Sequence, residues 1–365
     1  MISISLCMIV KNEEAVIARC LDSVKDLVDE MNIVDTGSTD NTKEIVKQYT
    51  NRIFDFKWID NFAAARNFSF QQATKDYILW LDADDLLNIE EQEKFRVLKN
   101  TLSPEIDVIS MNYYLSFDDD ENVASLIRRN RLVKREKNFQ WIGAVHEYLE
   151  VYGTFLESDI GISHVPLSHD QYRNIEIYKK LINDGKELSP RDLYYYANEL
   201  KDHQLYDEAI YYYEQFLTSN LGWVEDCIQA CYKLSDCYAA IKDDGNKITS
   251  VLRSFEYDSP RPEACCRLGY YFMEQTKNHA AIYWYEQALT VKIPPNSPFQ
   301  NNTFTTWLPH LQLCVLYDRL QQYEKAYFHN EKARSYKPND ERILFNQKYF
   351  NKILKKDLFL DHEIQ

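Results

Sequence analysis

The chain has 365 residues, 45% of them hydrophobic, which is enough for two packed cores and too apolar for disorder. Its formal net charge of −15 excludes a general nucleic-acid binder, because a phosphate backbone needs a cationic surface, although a local site can oppose the global sign. No run reaches the roughly 18 apolar residues that a membrane span needs, and the first residues lack the pattern of a signal peptide, so a soluble cytoplasmic protein is expected.

The first half alternates strands and helices. Ile2–Val10 is a short apolar run of the kind that forms a buried parallel strand, and Glu13–Leu27 has helical periodicity. Met31–Val34 is a second strand ending at Asp35, followed by turn and cap residues Ser38 to Asn41 and a helix over Thr42–Tyr49. Ile53–Phe56, a helix over Phe62–Ala73 and a strand over Tyr77–Leu81 continue the pattern. Repeated strand–helix units imply a parallel sheet with right-handed crossovers, whose ligands sit beyond the carboxyl ends of the strands. Lys11, Asn12, Asp35, Asp82 and Asp84 all fall at those ends. From Val108 to His164, short alternating runs (Val108–Phe117, Leu126–Val133, Phe139–Ile142, Thr154–Leu156, Ile160–His164) predict mixed or antiparallel strands.

From about Asp170 the pattern is helical and rich in tyrosine. Ala197, Leu200, Ala209, Tyr213 and Phe216 form a frame that recurs as Leu268, Gly269, Phe272, Ala281, Tyr285 and Ala288, and again as Leu313, Cys314, Tyr317, Ala326 and Ala333. A degraded copy lies between them at Leu234, Ser235 and Tyr238, with Lys247 in place of a small residue. The frame resembles the tetratricopeptide repeat, whose helical hairpins stack because none buries its apolar face alone. The expected division is 1–168 and 169–365, with an inserted loop at Pro294–Pro298. The eight cysteines form no CxxC pair with a partner pair and are expected to be reduced, small apolar fillers.

The chemistry is concentrated at the strand ends. Leu81-Asp82-Ala83-Asp84-Asp85 follows an apolar strand and places two carboxylates one residue apart, hard oxygen ligands suited to Mg²⁺ or Mn²⁺. Asp35, at the end of the second strand, can accept hydrogen bonds from a ligand N–H such as that of a uracil ring, and Gly37 permits the tight turn after it. Asn12 follows the first strand, and Glu13 there complements a helix N-terminus. Arg131 is either a phosphate clamp or a surface residue.

Met8-Ile9-Val10-Lys11-Asn12-Glu13-Glu14, Val34-Asp35-Thr36-Gly37-Ser38-Thr39-Asp40, Phe62-Ala63-Ala64-Ala65-Arg66-Asn67 and Leu81-Asp82-Ala83-Asp84-Asp85, in that order, resemble glycosyltransferase family 2. More narrowly, the chain resembles the branch fused to tetratricopeptide repeats, which includes glycocin-type peptide glycosyltransferases. The resemblance implies a GT-A catalytic domain, an α/β fold with a Rossmann-like mixed sheet, followed by an all-α repeat domain. It implies an inverting mechanism, a nucleotide-sugar donor that is commonly UDP-linked, and a divalent cation. By the resemblance, Val10, Asn12, Asp35, Arg66, Asp82 and Ala83 line the nucleotide. Asp82 and Asp84 approach the metal, and His164, after the last catalytic strand, completes its shell. Trp141-Ile142-Gly143-Ala144-Val145-His146-Glu147 then supplies the acceptor side, with Glu147 as general base and His146 orienting it or touching the diphosphate. The expected acceptor carries a hydroxyl or thiol, on a peptide, a protein or another molecule. The repeats are expected to bind a peptide or to form a homodimer. Two rivals are an interaction protein with a degenerate catalytic domain and a nucleotidyltransferase. The second would need a glycine-rich phosphate loop that Val10–Glu14 lacks.

Overall fold

The computed structural model describes residues 1–117, 123–167, 172–292 and 301–354. The chain forms two compact units, Met1–Glu187 and Leu188–Gln365.

The first unit runs β1 (Ile4–Val10), α1 (Ile17–Val24), β2 (Glu30–Asp35), α2 (Thr42–Val46), β3 (Ile53–Asp55), α3 (Phe62–Gln71), β4 (Tyr77–Trp80), β5 (Asp85–Leu86), α4 (Ile89–Thr101), β6 (Val108–Phe117), β7 (Val123–Lys134), β8 (Gln140–Ile142), β9 (Tyr148–Glu150), β10 (Phe155–His164) and α5 (Arg173–Asn183). Eight strands form one sheet in the order β3-β2-β1-β4-β7-β6-β10-β5, and β8 and β9 form a separate two-stranded sheet. The β1–β2, β1–β4 and β2–β3 pairs are parallel, whereas β7 runs antiparallel to both β4 and β6. The sheet is therefore mixed, as the change of pattern after Val108 predicts.

The pleat divides the core between two faces. Leu6 and Met8 of β1, Leu79 of β4 and Met111 of β6 pack with Ile17, Leu21 and Val24 of α1 and Phe95 of α4. Cys7 of β1, Ile78 and Trp80 of β4 and Val133 of β7 pack instead with Ala63 of α3 and with Phe139, Trp141 and Leu149 around the β8–β9 hairpin. Both faces of the central strands are covered, which is why those strands read as unbroken apolar runs.

Three elements differ from expectation. Helix α4 is mostly polar, buries only Glu91 and Phe95, and so carries little periodic signal. Thr154–Leu156 and Ile160–His164 belong to one strand, β10, whose register against β6 shifts between Glu157 and Gly161. A Cβ at Gly161 would lie 2.1 Å from the Tyr114 ring, so a side chain there would have to displace that ring. The unit boundary falls after α5 rather than at 168, because α5 is fastened to the first unit. Arg173 lies 4.6 Å over the Phe62 ring, and Lys180 pairs with Asp60.

The second unit is helical: α6 (Pro190–Asp202), α7 (Tyr206–Ser219), α8 (Val224–Ala240), α9 (Asp244–Arg253), α10 (Pro262–Glu274), α11 (Asn278–Thr290), α12 (Trp307–Arg319), α13 (Tyr323–Tyr336) and α14 (Glu341–Leu354). Consecutive helices pack as hairpins. Ser189 opens the stack with a reciprocal capping box to Asp192 and Pro190 in the first turn. The frame residues Ala197, Ala209, Ala281 and Ala326 are fully buried. At Gly269 an added Cβ would sit 2.8 Å from the Tyr285 ring, so α10 and α11 approach too closely for alanine. The copy with Lys247 is a hairpin as well, α8 with α9. The loop expected at 294–298 lies outside the described residues. All eight cysteines are buried and unpaired. Among the described residues no helix is long and apolar enough to cross a membrane.

Candidate active site

Parallel pairing of β2, β1 and β4 brings their carboxyl ends to one rim. Val10 stands opposite Asp35 in register, and Asp82 follows β4 on the same side. The Asp35 carboxylate is only 3% exposed and accepts from the N–H groups of Gly37 and Ser38 at 3.1 Å. Asn12 has a left-handed backbone (φ 55°), and its Oδ1 accepts from Thr39 N–H at 2.7 Å. Val10 is buried, and its carbonyl accepts from Thr36 N–H. Val10, Asn12 and Asp35 therefore come together, with Asn12 locking the β1 loop onto the β2 loop.

The acidic turn after β4 splits into two sets. In the first, Arg66 of α3 donates from Nη2 to Asp82 Oδ1 at 2.7 Å and from Nε to Glu147 Oε1 at 2.6 Å. Its guanidinium carbon lies 5.1 Å from the Trp80 ring and 4.9 Å from the Trp141 ring. Burial opposes ionisation of Asp82, but the charges of Arg66 and Arg131 outweigh it and hold the carboxyl below its usual range.

In the second set, Asp84, Asp85 and His164 offer ligand atoms that all lie within 4.8 Å of one another. Pairing of β10 with β5 sets His164 opposite Asp85, and Val165 N–H donates to the Asp84 carbonyl. His164 Nδ1 lies 3.6 Å from Asp84 Oδ1 and 2.8 Å from the Tyr113 hydroxyl. The nearby Asp84 carboxylate is the main influence raising the His164 pKa.

Two expected site residues have the following places. Asp82, expected at the nucleotide or the metal, is not among the converging Asp84, Asp85 and His164 atoms, and its Oδ1 accepts from Arg66. Arg131, expected as a phosphate clamp or a surface residue, is 0% exposed. Its Nη1 forms an ion pair with Asp85 Oδ2 at 3.0 Å and donates to the Trp80 carbonyl at 3.3 Å, and its guanidinium carbon lies 3.9 Å from the Trp80 ring and 4.5 Å from the Tyr113 ring, beneath the acidic turn. Ala83 is buried within that turn.

Glu13 is the residue that sequence reasoning underrated. Burial, then the negative charges of Asp84 and Asp82, push its carboxyl up to about 7. The only signal in the sequence is its place directly after Asn12.

Helix α3 also holds the β8–β9 hairpin. Phe62 N–H donates to the Ala144 carbonyl, and the Asn67 side chain bonds both backbone groups of Trp141. Gly143 (φ 102°) and His146 (φ 50°) take left-handed backbones that fold the 143–147 loop back and put Glu147 beside Arg66. His146 is half-buried in that loop.

Residues 5–149 match the family model described as Glycosyl transferase family 2. The chain is 46% identical over 96 residues to a TPR repeat-containing protein of Synechococcus elongatus, a stretch covering 26% of this chain and 24% of that one. It is 27% identical over 232 residues to the SPbeta prophage-derived glycosyltransferase SunS of Bacillus subtilis, covering 60% of this chain and 54% of that one. The chain thus spans about half of SunS and a quarter of the cyanobacterial protein. Among solved structures, the C-terminal part of a TPR repeat-containing protein from Cytophaga hutchinsonii is similar over 50% of this chain and 66% of that one, with 19% identity and a TM-score of 0.40.

Proposed function

We propose that this chain, with its glycosyl transferase family 2 domain, moves a sugar from a nucleotide-diphosphate donor, expected to be UDP-linked, to an acceptor hydroxyl or thiol with inversion. The observation that carries this reading is the meeting, at one end of one sheet, of Asp35, the Asp84–Asp85–His164 cluster and the Arg66–Glu147 pair.

The donor set fits a hard divalent cation, Mn²⁺ or Mg²⁺: two carboxylates and an imidazole converge, and Asp85 Oδ1 is buried without a hydrogen-bond partner. Asp84, Asp85 and His164 would hold it, and when bound it supplies positive charge to the departing diphosphate. Asp35 accepts from the base, and Val10 forms an apolar wall beside it. Arg66 holds Asp82 and Glu147 in fixed relation, so the donor side and the acceptor side share one guanidinium. Glu147 takes the acceptor's proton as its oxygen or sulfur bonds to the anomeric carbon and the bond from that carbon to the diphosphate breaks. The helical repeats supply a surface for a peptide or protein acceptor.

A screen of UDP- and GDP-sugars with Mn²⁺, read by thermal stabilisation and by release of free nucleotide, tests the reading. Hydrolysis that disappears in Asp84→Ala supports it. Neither binding nor turnover would leave an interaction protein, and release of pyrophosphate a nucleotidyltransferase.

A further inference from the structure

Arg66 touches the acidic groups of the rim, whereas its neighbour in the same motif, Asn67, faces Trp141. The Asn67 amide matches one residue of extended backbone: Nδ2 donates to the Trp141 carbonyl at 3.0 Å, and Oδ1 accepts from the Trp141 N–H at 2.8 Å. Trp141 stands opposite Leu149 in the β8–β9 ladder. Its backbone groups point away from that ladder, and the Asn67 side chain meets them where a third strand would. A two-stranded ribbon is marginal alone, so this contact matters to where the hairpin sits.

Beside the packing of Ala63 and Phe70, three residues of α3 hold the hairpin by hydrogen bonds. The bonds run from Phe62 N–H to the Ala144 carbonyl, from Arg66 to Glu147, and between Asn67 and Trp141. Only the Arg66 contact is made by a group that also holds the donor-side Asp82. With Asn67 absent, no hydrogen bond from α3 would reach the Trp141 strand itself, and the Phe62–Ala144 bond and Arg66 would hold only the loop that carries Glu147. We propose that Asn67 is a positioning residue for transfer, holding the Trp141 strand so that the Glu147 carboxylate stands at a set place against the bound donor. This rests on the reading of Glu147 as the base.

The test uses the full chain with Mn²⁺ and the UDP-sugar that the wild-type chain hydrolyses fastest, water serving as acceptor. Asn67→Ala removes both bonds. Asn67→Asp keeps the shape and the acceptor for Trp141 N–H but sets a carboxylate oxygen against the Trp141 carbonyl, and it serves if the alanine variant folds poorly. Both variants are expected to lose about 10- to 100-fold in kcat, with donor KM and Mn²⁺ stabilisation within about twofold of wild type. Hydrogen exchange at the Trp141 amide should quicken in Asn67→Ala. An unchanged kcat in Asn67→Asp, or a loss shared equally by kcat and donor KM, overturns the positioning role. A wild-type chain that turns over no nucleotide-sugar instead sinks the transferase reading, and this role with it.

Discussion

Arg66 Nε lies 2.6 Å from Glu147 Oε1, although 81 residues separate the two in the chain. The same guanidinium holds Asp82, so the carboxylate proposed to take the acceptor's proton is fixed by the group that also orders the acidic turn after β4. Glu147→Gln keeps a hydrogen-bond acceptor for Arg66 but loses the charge and the basicity. Transfer should fall about 10²- to 10⁴-fold while UDP binding with Mn²⁺ stays within a few-fold. Calorimetric titration of UDP alongside turnover separates the two effects. Undiminished turnover would place the base elsewhere.

The Arg131–Asp85 pair is fully buried, and Arg131→Met would leave the Asp85 carboxylate without its cation. Breaking a buried pair from one side costs about 3–5 kcal/mol, far more than a surface pair is worth. The transition of the first unit in urea should move accordingly. Adding Asp85→Asn should restore much of the loss, since a neutral amide tolerates the site better than an unpaired charge. A single Arg131→Met variant as stable as wild type would show that the pair carries no such load.

The strand ends were legible because both faces of β1, β2 and β4 are covered, so the chain reads as apolar runs that stop at Asn12, Asp35 and Asp82. The repeats were legible because Ala209, Ala281 and Ala326 recur where helices touch. The division of labour within Asp82–Asp85 was not legible. It depends on which arginine reaches which carboxylate, and those partners lie 16 residues from Asp82 in one case and on β7 in the other. Glu13 was misjudged for a similar reason: the acidic groups that shift it lie in the turn after β4, beyond α1, α2 and α3 in sequence.

The two acidic sets give opposite expectations for metal. Asp84→Ala and His164→Ala each remove a member of the converging cluster and should abolish or greatly weaken Mn²⁺-dependent thermal stabilisation. Asp82→Asn leaves that cluster intact and should retain most of it while lowering turnover through the loss of the Arg66 contact. Loss of stabilisation in Asp82→Asn equal to that in Asp84→Ala would return Asp82 to the metal.

Close approach of α10 and α11 makes Gly269→Ala a steric probe of the repeat unit. The new Cβ would meet the buried Tyr285 ring at 2.8 Å, so the ring or the helix must shift. Overpacking of this kind costs about 1–3 kcal/mol, set against the smaller gain alanine brings to a helix interior. A calorimetric transition lowered by a few degrees is expected. A raised one would mean that the helices separate at little cost.

The last hairpin should respond to acid. His310 Nδ1 and His329 Nδ1 lie 2.9 Å apart, joining α12 to α13, and the His329 ring stacks on Tyr317, whose hydroxyl donates to Glu286 of α11. One proton between the two nitrogens suffices for the bond; two protons would set like charges against each other. Burial, then His310 and Lys325, hold the His329 pKa down to about 4 from an ordinary 6.5, and burial with Lys332 lowers His310 too. The unfolded chain therefore binds a proton on His329 near pH 6.5 that the folded chain refuses until about pH 4, and the lowered His310 acts in the same direction. The stability due to this pair is present above pH 6.5 and is lost as the pH falls toward 4. Both rings are only half-buried, so the change is about 1–2 kcal/mol rather than the full value of the shift. Thermal unfolding of the wild-type chain and of His329→Gln between pH 7.5 and 4.5 reads it. The variant should lose less on acidification, and parallel curves would show that the imidazole pair has no part in the acid response.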